Sequence, residues 1–348
     1  MNATTVGVDL AKTVFAVAVA DENWGIVARH RLSRARFAQF FVNHPRCRIV
    51  MEACGSAHHW ARTLRAQGHE PLLLPAQHVR AYVRRNKTDA ADAAALIEAA
   101  RCAELQPVPI KSIEQQVIQQ LHRMRSQCMG TRTARINLLR GTLREFGLVI
   151  PVGVARGRAA VREALANLDN GLPDALRPLL IEILGEIADL EQRVDSLERQ
   201  LRELTREDSI VRSLMSIPGI GLLTATALRA AIVDIQRFPS GRHLASWLGL
   251  TAREHSSAER RHLGRISKRG DVYLRTLLVH GARAVLYAAK TATRTGRPLD
   301  RLRAWALAIE QRAGHNKATV ALANKLARIA WATWRHGRAF NGNWVAAH

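Results

Sequence analysis

The chain has 348 residues, a length that suits two or three domains, and 47% of them are hydrophobic, which excludes wholesale disorder. It carries 52 Lys and Arg against 29 Asp and Glu, which gives a net charge of +23. An excess of this size argues against an enzyme of small neutral metabolites and favours a polyanionic partner, with nucleic acid first and an anionic membrane surface second.

Strand and helix patterns alternate through the first hundred residues. Apolar and β-branched runs predict strands at residues 5–10, 14–20, 26–31, 48–51 and 71–74. Helical spacing predicts helices at residues 37–42, 58–66, 77–84 and 88–102. Short connections make the first three strands antiparallel, and the later αβ units make the sheet mixed, with helices packed on it. In this order the first and fourth strands lie side by side, and the last helix covers their ends.

A helical region follows over residues 111–207. Apolar residues three or four positions apart predict one helix over residues 112–146 and another over residues 180–204. The second helix has the alternating spacing of a coiled-coil seam. Such a seam either pairs subunits or packs two helices of one chain together, and the pattern leaves both open.

A change in composition marks a third, mainly helical domain over residues 208–348. The first domain, with the alternating strands and helices, comprises residues 1–110. The segment Ser216-Ile-Pro-Gly-Ile-Gly221 lies between two apolar helices, which is typical of a helix-hairpin-helix. Loop amides at Gly219 and Gly221 would then bind a DNA phosphate. An ordinary turn between two helices accounts for the pattern equally well. A polar, basic stretch over residues 251–271 comes next, and further helices extend to residue 334.

Acidic residues occupy unusual places in the first domain. Asp9 ends the first strand and Glu52 ends the fourth, although a carboxylate beside an apolar strand is costly to bury unless it is paired or metal-bound. Asp89 and Asp92 share one face of the first turn of the last helix, where acidic residues also simply suit a helix N-terminus. If the four converge, their repulsion requires a cation, and hard oxygen ligands select Mg²⁺ or Mn²⁺. Two such ions can clamp a phosphodiester.

Several motifs resemble those of one family, the insertion-sequence 110 family of transposases, and its insertion-sequence 1111 group in particular. The segments that resemble its DEDD motifs are residues 7–12, 51–55 and 86–93 (GVDLAK, MEACG and NKTDAADA). The resemblance continues through residues 216–221, 247–250 and 266–271 (SIPGIG, WLGL and ISKRGD), and it covers residues 5–290. It implies an RNase H-like, RuvC-type first domain that holds Mg²⁺ through Asp9, Glu52, Asp89 and Asp92.

The same resemblance implies a serine nucleophile toward DNA in the segment over residues 250–257. Motif matching places it on Ser257, with Ser256 the second candidate. The chain departs from the usual pattern at Ala252, where proline is common, and at Ala258-Glu259, which replaces a frequent glycine pair. A serine hydroxyl is a weak nucleophile that needs activation. The cations around it suit a phosphate or a phosphoryl-transfer transition state: Arg253, Arg260, Arg261, Arg265, Lys268 and Arg269.

These features together predict a transposase, a DNA recombinase that cleaves and rejoins strands with Mg²⁺ through a covalent phosphoserine. The resemblance further implies a homodimer or homotetramer in which the two active parts meet across subunits. It also implies a bridge RNA, a noncoding RNA that pairs with the element-end and target DNA. One alternative is a RuvC-like structure-selective endonuclease, a Holliday-junction resolvase, that uses water as nucleophile. Another is an architectural DNA or RNA binder with a decayed site, but it gives no reason for the four carboxylates.

The sequence also indicates a compartment. No apolar run approaches the roughly 20 residues that a membrane-spanning helix needs, and the first residues lack the pattern of a signal peptide. The four cysteines are scattered without a CxxC pair, which argues against a disulfide framework and a structural zinc site. We therefore expect a cytoplasmic protein, and the family resemblance adds association with a bacterial nucleoid.

Overall fold

The computed structural model of the chain describes residues 5–82, 88–257 and 260–342. The chain divides into two compact units, Met1–Ser112 and Ile113–His348. The motif residues Asn86-Lys87 and Ala258-Glu259 lie outside the described residues. Within the described ranges, no helix combines the length and the apolar character that crossing a membrane requires.

The first unit is built on a mixed five-stranded sheet. Its strands are β1 (Thr5–Asp9), β2 (Val14–Ala20), β3 (Ile26–Ser33), β4 (Arg48–Glu52) and β5 (Glu70–Leu74). The strand order is β3-β2-β1-β4-β5. The β1–β2 and β2–β3 pairs are antiparallel, whereas the β1–β4 and β4–β5 pairs are parallel. The mixed sheet is therefore confirmed, and so is the predicted contact between the first and fourth strands.

Helices cover both faces of this sheet. They are α1 (Arg34–Val42), α2 (Ala57–Ala66), α3 (Ala76–Val79) and α4 (Asp89–Ala100). Alternate residues of a strand point to opposite faces, so β4 divides its side chains between two cores. Ile49 and Met51 pack with aromatic residues of α1 and α2, such as Phe37 and Trp60. Val50 instead packs with residues of α4.

The contact between β1 and α4 is unusually close. A Cβ atom added to Gly7 would lie 2.2 Å from the carbonyl oxygen of Ala93 and 2.9 Å from Cγ1 of Ile97. Real Cβ atoms do not approach other atoms to such distances, so only glycine permits this packing of the helix on the strand. The helix itself begins after Thr88, whose hydroxyl accepts a hydrogen bond from the amide of Ala91 at 3.2 Å.

The second unit is mainly helical. Its helices are α5 (Ile113–Glu145), α6 (Val154–Ala166), α7 (Arg177–Leu204), α8 (Ser209–Met215), α9 (Leu222–Ala231), α10 (Gly241–Trp247), α11 (Val272–Arg294), α12 (Arg301–Ala313) and α13 (His315–His336). Two short antiparallel strands, β6 (Ala252–Glu254) and β7 (Leu263–Ile266), form a hairpin between α10 and α11. Helices α8 to α13 enclose one large apolar core, which includes Leu228, Leu278 and Leu322.

Helices α5 and α7 pack against each other as an antiparallel pair. Three ion pairs join them, and the residue numbers rise along one helix as they fall along the other: Arg125–Glu198, Arg132–Glu191 and Arg135–Glu186. Leu143 and Ile187 are fully buried in the apolar cluster beside them. The seam expected over residues 180–204 therefore packs helices of one chain together, which is one of the two alternatives that the spacing left open.

Two glycines allow the turn between α8 and α9 to contact α11. A Cβ atom on Gly281 would lie 1.9 Å from the carbonyl oxygen of Gly219, and one on Gly219 would lie 2.7 Å from the carbonyl oxygen of Gly281. Gly219 also has a positive φ of +85°, which disfavours other residues. The glycine of the predicted hairpin thus has a packing role of its own.

Candidate active site

Parallel pairing of β1 and β4 places Asp9 and Glu52 at the same edge of the sheet. Val8 is paired with Met51, and the residues that follow them, Asp9 and Glu52, are the last residues of their strands. Side chains two positions apart share a face, and Gly7 lies on the face that α4 covers. Asp9 and Glu52 are therefore both on the α4 side of the sheet, and both are half-buried.

The direction of α4 decides where its acidic first turn lies. Arg101 follows the helix, and its guanidinium lies 5.9 Å from the centre of the Trp24 ring. Trp24 belongs to the turn after β2, whose last residue, Ala20, is paired with Thr5 at the start of β1. The C-terminal end of α4 is therefore near the start of β1. The helix runs antiparallel to that strand, and its first turn lies toward the edge where β1 ends.

Helical spacing then assigns each aspartate to a strand. Asp89 lies one turn before Ala93, which contacts Gly7 of β1. Asp92 lies one turn before Leu96, which packs in the cluster that includes the β4 core. The two aspartates consequently extend the stripes of α4 that cover β1 and β4. The four predicted acidic residues thus share one face and one end of the sheet.

The pKa of the Cys54 thiol responds to both strand-end carboxylates. Burial raises the pKa of Cys54, and the negative charges of Glu52 and Asp9 raise it further. Coulomb interactions of this kind fall off with distance, so both carboxylates lie near the loop that follows β4. The edge therefore carries concentrated negative charge.

The donor set suits a hard cation. All four side chains offer carboxylate oxygens, which Mg²⁺ and Mn²⁺ prefer over nitrogen or sulfur ligands. Among residues 5–82, 88–257 and 260–342, no three His, Cys, Asp or Glu side chains lie close enough together to hold an ion. The structure thus brings the four carboxylates to one end of one face without gathering three of them around a single point.

Ser257 lies at the tip of the β6–β7 hairpin. Its amide donates to the carbonyl oxygen of Arg260 at 3.3 Å, and the amide of Arg260 donates back to its carbonyl at 3.1 Å. The residue is exposed. The backbone thus presents Ser257 to solvent beside a guanidinium-bearing residue that forms the other half of the same bridge.

Ser256 has a different environment. Its hydroxyl donates to Oε1 of Glu254 at 2.7 Å and accepts a hydrogen bond from the amide of His262 at 3.2 Å. Arg261 contacts the same oxygen of Glu254 at 3.3 Å. The hydrogen bond from Ser256 and the charge of Arg261 lower the pKa of Glu254. Both serines are exposed, but the hydroxyl of Ser256 is engaged in hydrogen bonds within the hairpin.

The base of the hairpin is fixed by two glycines. A Cβ atom on Gly249 would lie 1.9 Å from the carbonyl oxygen of Arg269, and one on Gly270 would lie 1.9 Å from the carbonyl oxygen of Trp247. Both glycines have positive φ angles, +70° and +83°. The amide of Lys268 also donates to the carbonyl of Gly249 at 3.1 Å. The segments before and after the hairpin are therefore in direct backbone contact at the point where the hairpin extends from the core.

The basic residues predicted to bind phosphate are at the surface of this hairpin or next to it. Each of the six basic side chains is exposed: Arg253, Arg260, Arg261, Arg265, Lys268 and Arg269. Two of them also make contacts within the hairpin, because Arg253 donates to the carbonyl of Ser267 at 3.1 Å and Arg261 pairs with Glu254. Gly221 is exposed at the N-terminus of α9, while Gly219 is held against α11.

Glu254 was missed by the sequence reasoning. Its signal was available, because residues two positions apart in a strand share a face and Glu254 precedes Ser256 by two positions. The pattern alone did not distinguish Glu254 from an ordinary surface glutamate. The distance between its carboxylate and the Ser256 hydroxyl depends on the side-chain conformations that the hairpin imposes.

This chain is similar to known transposases over nearly its whole length. A family model for DEDD transposases of the IS110 type matches residues 6–147, and the model described as "Transposase IS116/IS110/IS902 family" matches residues 211–296. A probable family 20 transposase of Pseudomonas aeruginosa is 44% identical over 336 residues, which cover 95% of this chain and 97% of that protein. The transposase for insertion sequence element IS1111A of Coxiella burnetii is 39% identical over 94% of this chain and 88% of its own length.

A further relative extends the agreement to nearly the full length of both proteins. The transposase for insertion sequence element IS1328 of Yersinia enterocolitica is 34% identical over 340 residues, which cover 98% of this chain and 99% of that protein. The similarity thus includes the strands that carry the acidic residues and the hairpin that carries the adjacent serines. The chain belongs to the IS116/IS110/IS902 family of transposases.

Proposed function

We propose that this transposase cleaves and rejoins DNA through a covalent phosphoserine at Ser257, with a divalent cation held at the acidic edge of the first unit. The observation that carries the proposal is the parallel pairing of β1 and β4 beneath the first turn of α4. This pairing sets Asp9 and Glu52 on the face where Asp89 and Asp92 lie. An RNase H-like, RuvC-type assignment is supported by the strand order, in which an antiparallel β3-β2-β1 meander continues into parallel β4 and β5.

The four carboxylates are the residues that would hold Mg²⁺ or Mn²⁺. When bound, the cation supplies positive charge that offsets the repulsion among the carboxylates and the charge of the scissile phosphate. The half-burial of Asp9 and Glu52 favours this role, because a partly desolvated carboxylate gains more from a nearby cation than an exposed one does.

The serine chemistry is a pair of phosphoryl transfers that conserve the number of ester bonds. Oγ of Ser257 forms a bond to phosphorus as the bond from phosphorus to a deoxyribose oxygen breaks. The hydroxyl proton leaves to solvent or a base, and the departing oxygen takes up a proton. In rejoining, a DNA hydroxyl attacks the phosphoserine and the serine hydroxyl is restored. Because each step exchanges one phosphoester for another, no ATP is required.

The charge around the hairpin supports strand binding there. Arg260 forms a backbone bridge with Ser257, and the exposed cations nearby suit the phosphates on either side of a cleavage site. We extend the proposal to guidance by a bridge RNA and to assembly as a homodimer or homotetramer, as the family resemblance implies. The net charge of +23 supports contact with more than one nucleic-acid strand.

A covalent-capture assay tests the proposal. Purified protein is mixed with Mg²⁺, RNA transcribed from the flanking region and end-labelled DNA that carries the element junction, and the products are separated on a denaturing gel. Wild type is compared with Ser257→Ala, Ser256→Ala and Asp9→Asn, with EDTA and without the RNA. We expect a protein–DNA band that requires Mg²⁺, Asp9 and Ser257.

The competing nuclease gives a different pattern. A resolvase that uses water produces free cleaved DNA without a covalent band, and Ser257→Ala leaves its cleavage intact. Cleavage that survives both serine substitutions would therefore overturn the phosphoserine mechanism while leaving the acidic edge as the site of metal-dependent chemistry.

A further inference from the structure

A large groove opens on the second unit beside the base of the hairpin. Its volume is about 2120 Å³, which exceeds the roughly 300–1,000 Å³ of ordinary small-molecule sites. One face of α13 forms its floor, where Lys317, Asn324 and Arg328 recur at helical spacing. Arg265 of β7 lies on one wall and Arg301 of α12 on another. The groove therefore joins the hairpin to the last two helices.

The lining of this groove has charge of one sign. Lys and Arg residues line it from β7, α10, α12, α13 and the segment that follows α13, while no Asp or Glu is among the described residues that line it. Within the part of the chain that the structure describes, none of these cations is ion-paired with a carboxylate. Other cations of this unit are paired, as Lys290 is with Glu310 at 2.7 Å. The groove thus concentrates positive charge that no carboxylate among the described lining residues balances.

Lys325 illustrates the consequence. It is half-buried, and its Nζ atom lies 4.0 Å from the centre of the Trp305 ring. Burial lowers the pKa of Lys325, and the charges of Arg328 and Arg301 lower it further. The cations of the groove therefore repel one another, and an anion bound among them would relieve that repulsion.

The dimensions match an extended anion. Lys317 and Arg328 are eleven positions apart on α13, which corresponds to about 16 Å along the helix axis. One strand of B-DNA places about five phosphates along that length, at ~3.4 Å per phosphate. Lys325 lies over one face of the Trp305 ring, so that face is closed to stacking with a nucleobase.

We infer that this groove binds the phosphate backbone of DNA and leads the strand to the hairpin tip that carries Ser257. The inference rests on the proposed function for the direction of the strand, because Arg265 and Lys268 belong both to the groove and to the hairpin. DNA rather than RNA is the occupant because the groove is continuous with the element on which the DNA-cleaving serine is proposed to lie.

Salt-dependent binding tests the groove without requiring cleavage. Fluorescence anisotropy is measured with the full chain and a labelled DNA duplex of arbitrary sequence over a series of KCl concentrations. The double variant Lys317→Gln/Arg328→Gln removes two groove cations. The matched control Arg283→Gln/Arg294→Gln removes two exposed cations of α11 that do not line the groove. We expect the groove variant to bind at least about tenfold more weakly and to lose about 1.8 from the salt slope, at ~0.9 per phosphate contact. Equal losses in both variants would overturn the inference.

Lysine footprinting on the unmodified protein provides a second measurement that does not depend on the folding of a variant. Acetylation of Lys317, Lys268 and Lys290 is quantified by mass spectrometry with and without DNA. We expect DNA to protect the first two, which line the groove, and to leave Lys290 reactive. Absence of protection, or stronger protection by RNA of the same sequence than by DNA, would contradict the inference. Protection of the groove lysines together with no adduct in the covalent-capture assay would retain the groove and reject the phosphoserine proposal. An adduct in that assay with an unprotected groove would do the reverse.

Discussion

The hydroxyl of Ser256 donates a hydrogen bond to the carboxylate of Glu254 at 2.7 Å, and this contact distinguishes two serines that are adjacent in sequence. The same hydroxyl accepts a hydrogen bond from the amide of His262 across the hairpin. Ser256 therefore ties the two sides of the hairpin together near the tip, although both serines are exposed. We therefore propose that Ser256 positions the tip and that Ser257 is the nucleophile.

Ser256→Ala should slow covalent adduct formation with DNA without abolishing it. The change removes two hydrogen bonds that order the tip, and one of them has a charged acceptor, so we expect a reduction of about tenfold, equivalent to ~1.4 kcal/mol. Ser257→Ala should abolish the adduct. Single-turnover rates of adduct formation provide the measurement, with Glu254→Gln as the control that keeps an acceptor for Ser256. An adduct that persists in Ser257→Ala and disappears in Ser256→Ala would reverse the assignment.

Gly7→Ala should separate α4 from the sheet. The new methyl group would lie 2.2 Å from the carbonyl oxygen of Ala93, so the helix must move and its buried contacts with β1 must loosen. We expect a loss of about 2 kcal/mol in the free energy of unfolding, as for other overpacked cores. Gly55→Ala is the matched control, because nothing lies within 4 Å of its added Cβ atom. Denaturant unfolding followed by circular dichroism measures both. Similar midpoints for the two variants would mean that the close contact is not maintained in solution.

Glycine-to-alanine substitutions in two helices of the second unit should have opposite signs. Gly130 lies inside α5 with nothing within 4 Å of an added Cβ atom, so alanine there should raise stability by up to about 1 kcal/mol through its helix propensity. Gly281 lies inside α11, where the same Cβ atom would lie 1.9 Å from the carbonyl oxygen of Gly219. Alanine there should lower stability by about 3 kcal/mol. Thermal unfolding of the two variants compares them directly, and a stabilised Gly281→Ala would refute the packing of α11 on the turn.

His122 should make the second unit less stable in acid. Its ring lies between the hydroxyl groups of Tyr273 and Thr226, each 2.9 Å from a ring nitrogen, and the side chain is buried. Burial lowers the pKa of His122 to about 4, and the charge of Arg125 contributes. In the unfolded chain the His122 imidazole is therefore protonated below about pH 6.5, whereas in the folded chain it stays neutral until the pH approaches 4.

The sign of this linkage is definite. Stability falls as pH decreases from about 6.5 to about 4, by up to ~3 kcal/mol for this group, because protonation favours the unfolded state throughout that window. Unfolding midpoints at about pH 7 and about pH 4.5 measure the change. His122→Gln should reduce the difference between the two midpoints, even though it removes hydrogen bonds at both pH values. A difference as large as in wild type would show that other groups, such as His58, whose pKa burial also lowers, account for it.

The sequence predicted the sheet well because the information lies in short, local patterns. Each predicted strand overlaps an observed one, and β1 and β4 are neighbours because αβ connections leave few alternatives. The partner of α7 could not be predicted, since apolar spacing specifies a buried stripe without specifying what buries it. The groove could not be predicted either, because Arg265 and Arg328 are distant in sequence and come together only through the tertiary packing of α13.

The candidate site divides in the same way. The face and the edge of Asp9 and Glu52 follow from strand periodicity, which the sequence displays directly. Distances among the carboxylates depend on side-chain conformation, which a sequence pattern does not specify. The assignment of Ser257 as nucleophile stays a prediction.

The locked base of the hairpin also limits the reach of Ser257. Gly249 and Gly270 hold the two ends of the hairpin against each other and against the core, so the tip is attached at a fixed origin. Ser257 lies seven positions after Leu250, and a fully extended chain spans at most about 3.6 Å per residue, or ~25 Å. For Ser257 to act as the proposed nucleophile, the scissile phosphate must therefore come within about 25 Å of Leu250, whatever the sequence of the DNA that contains it.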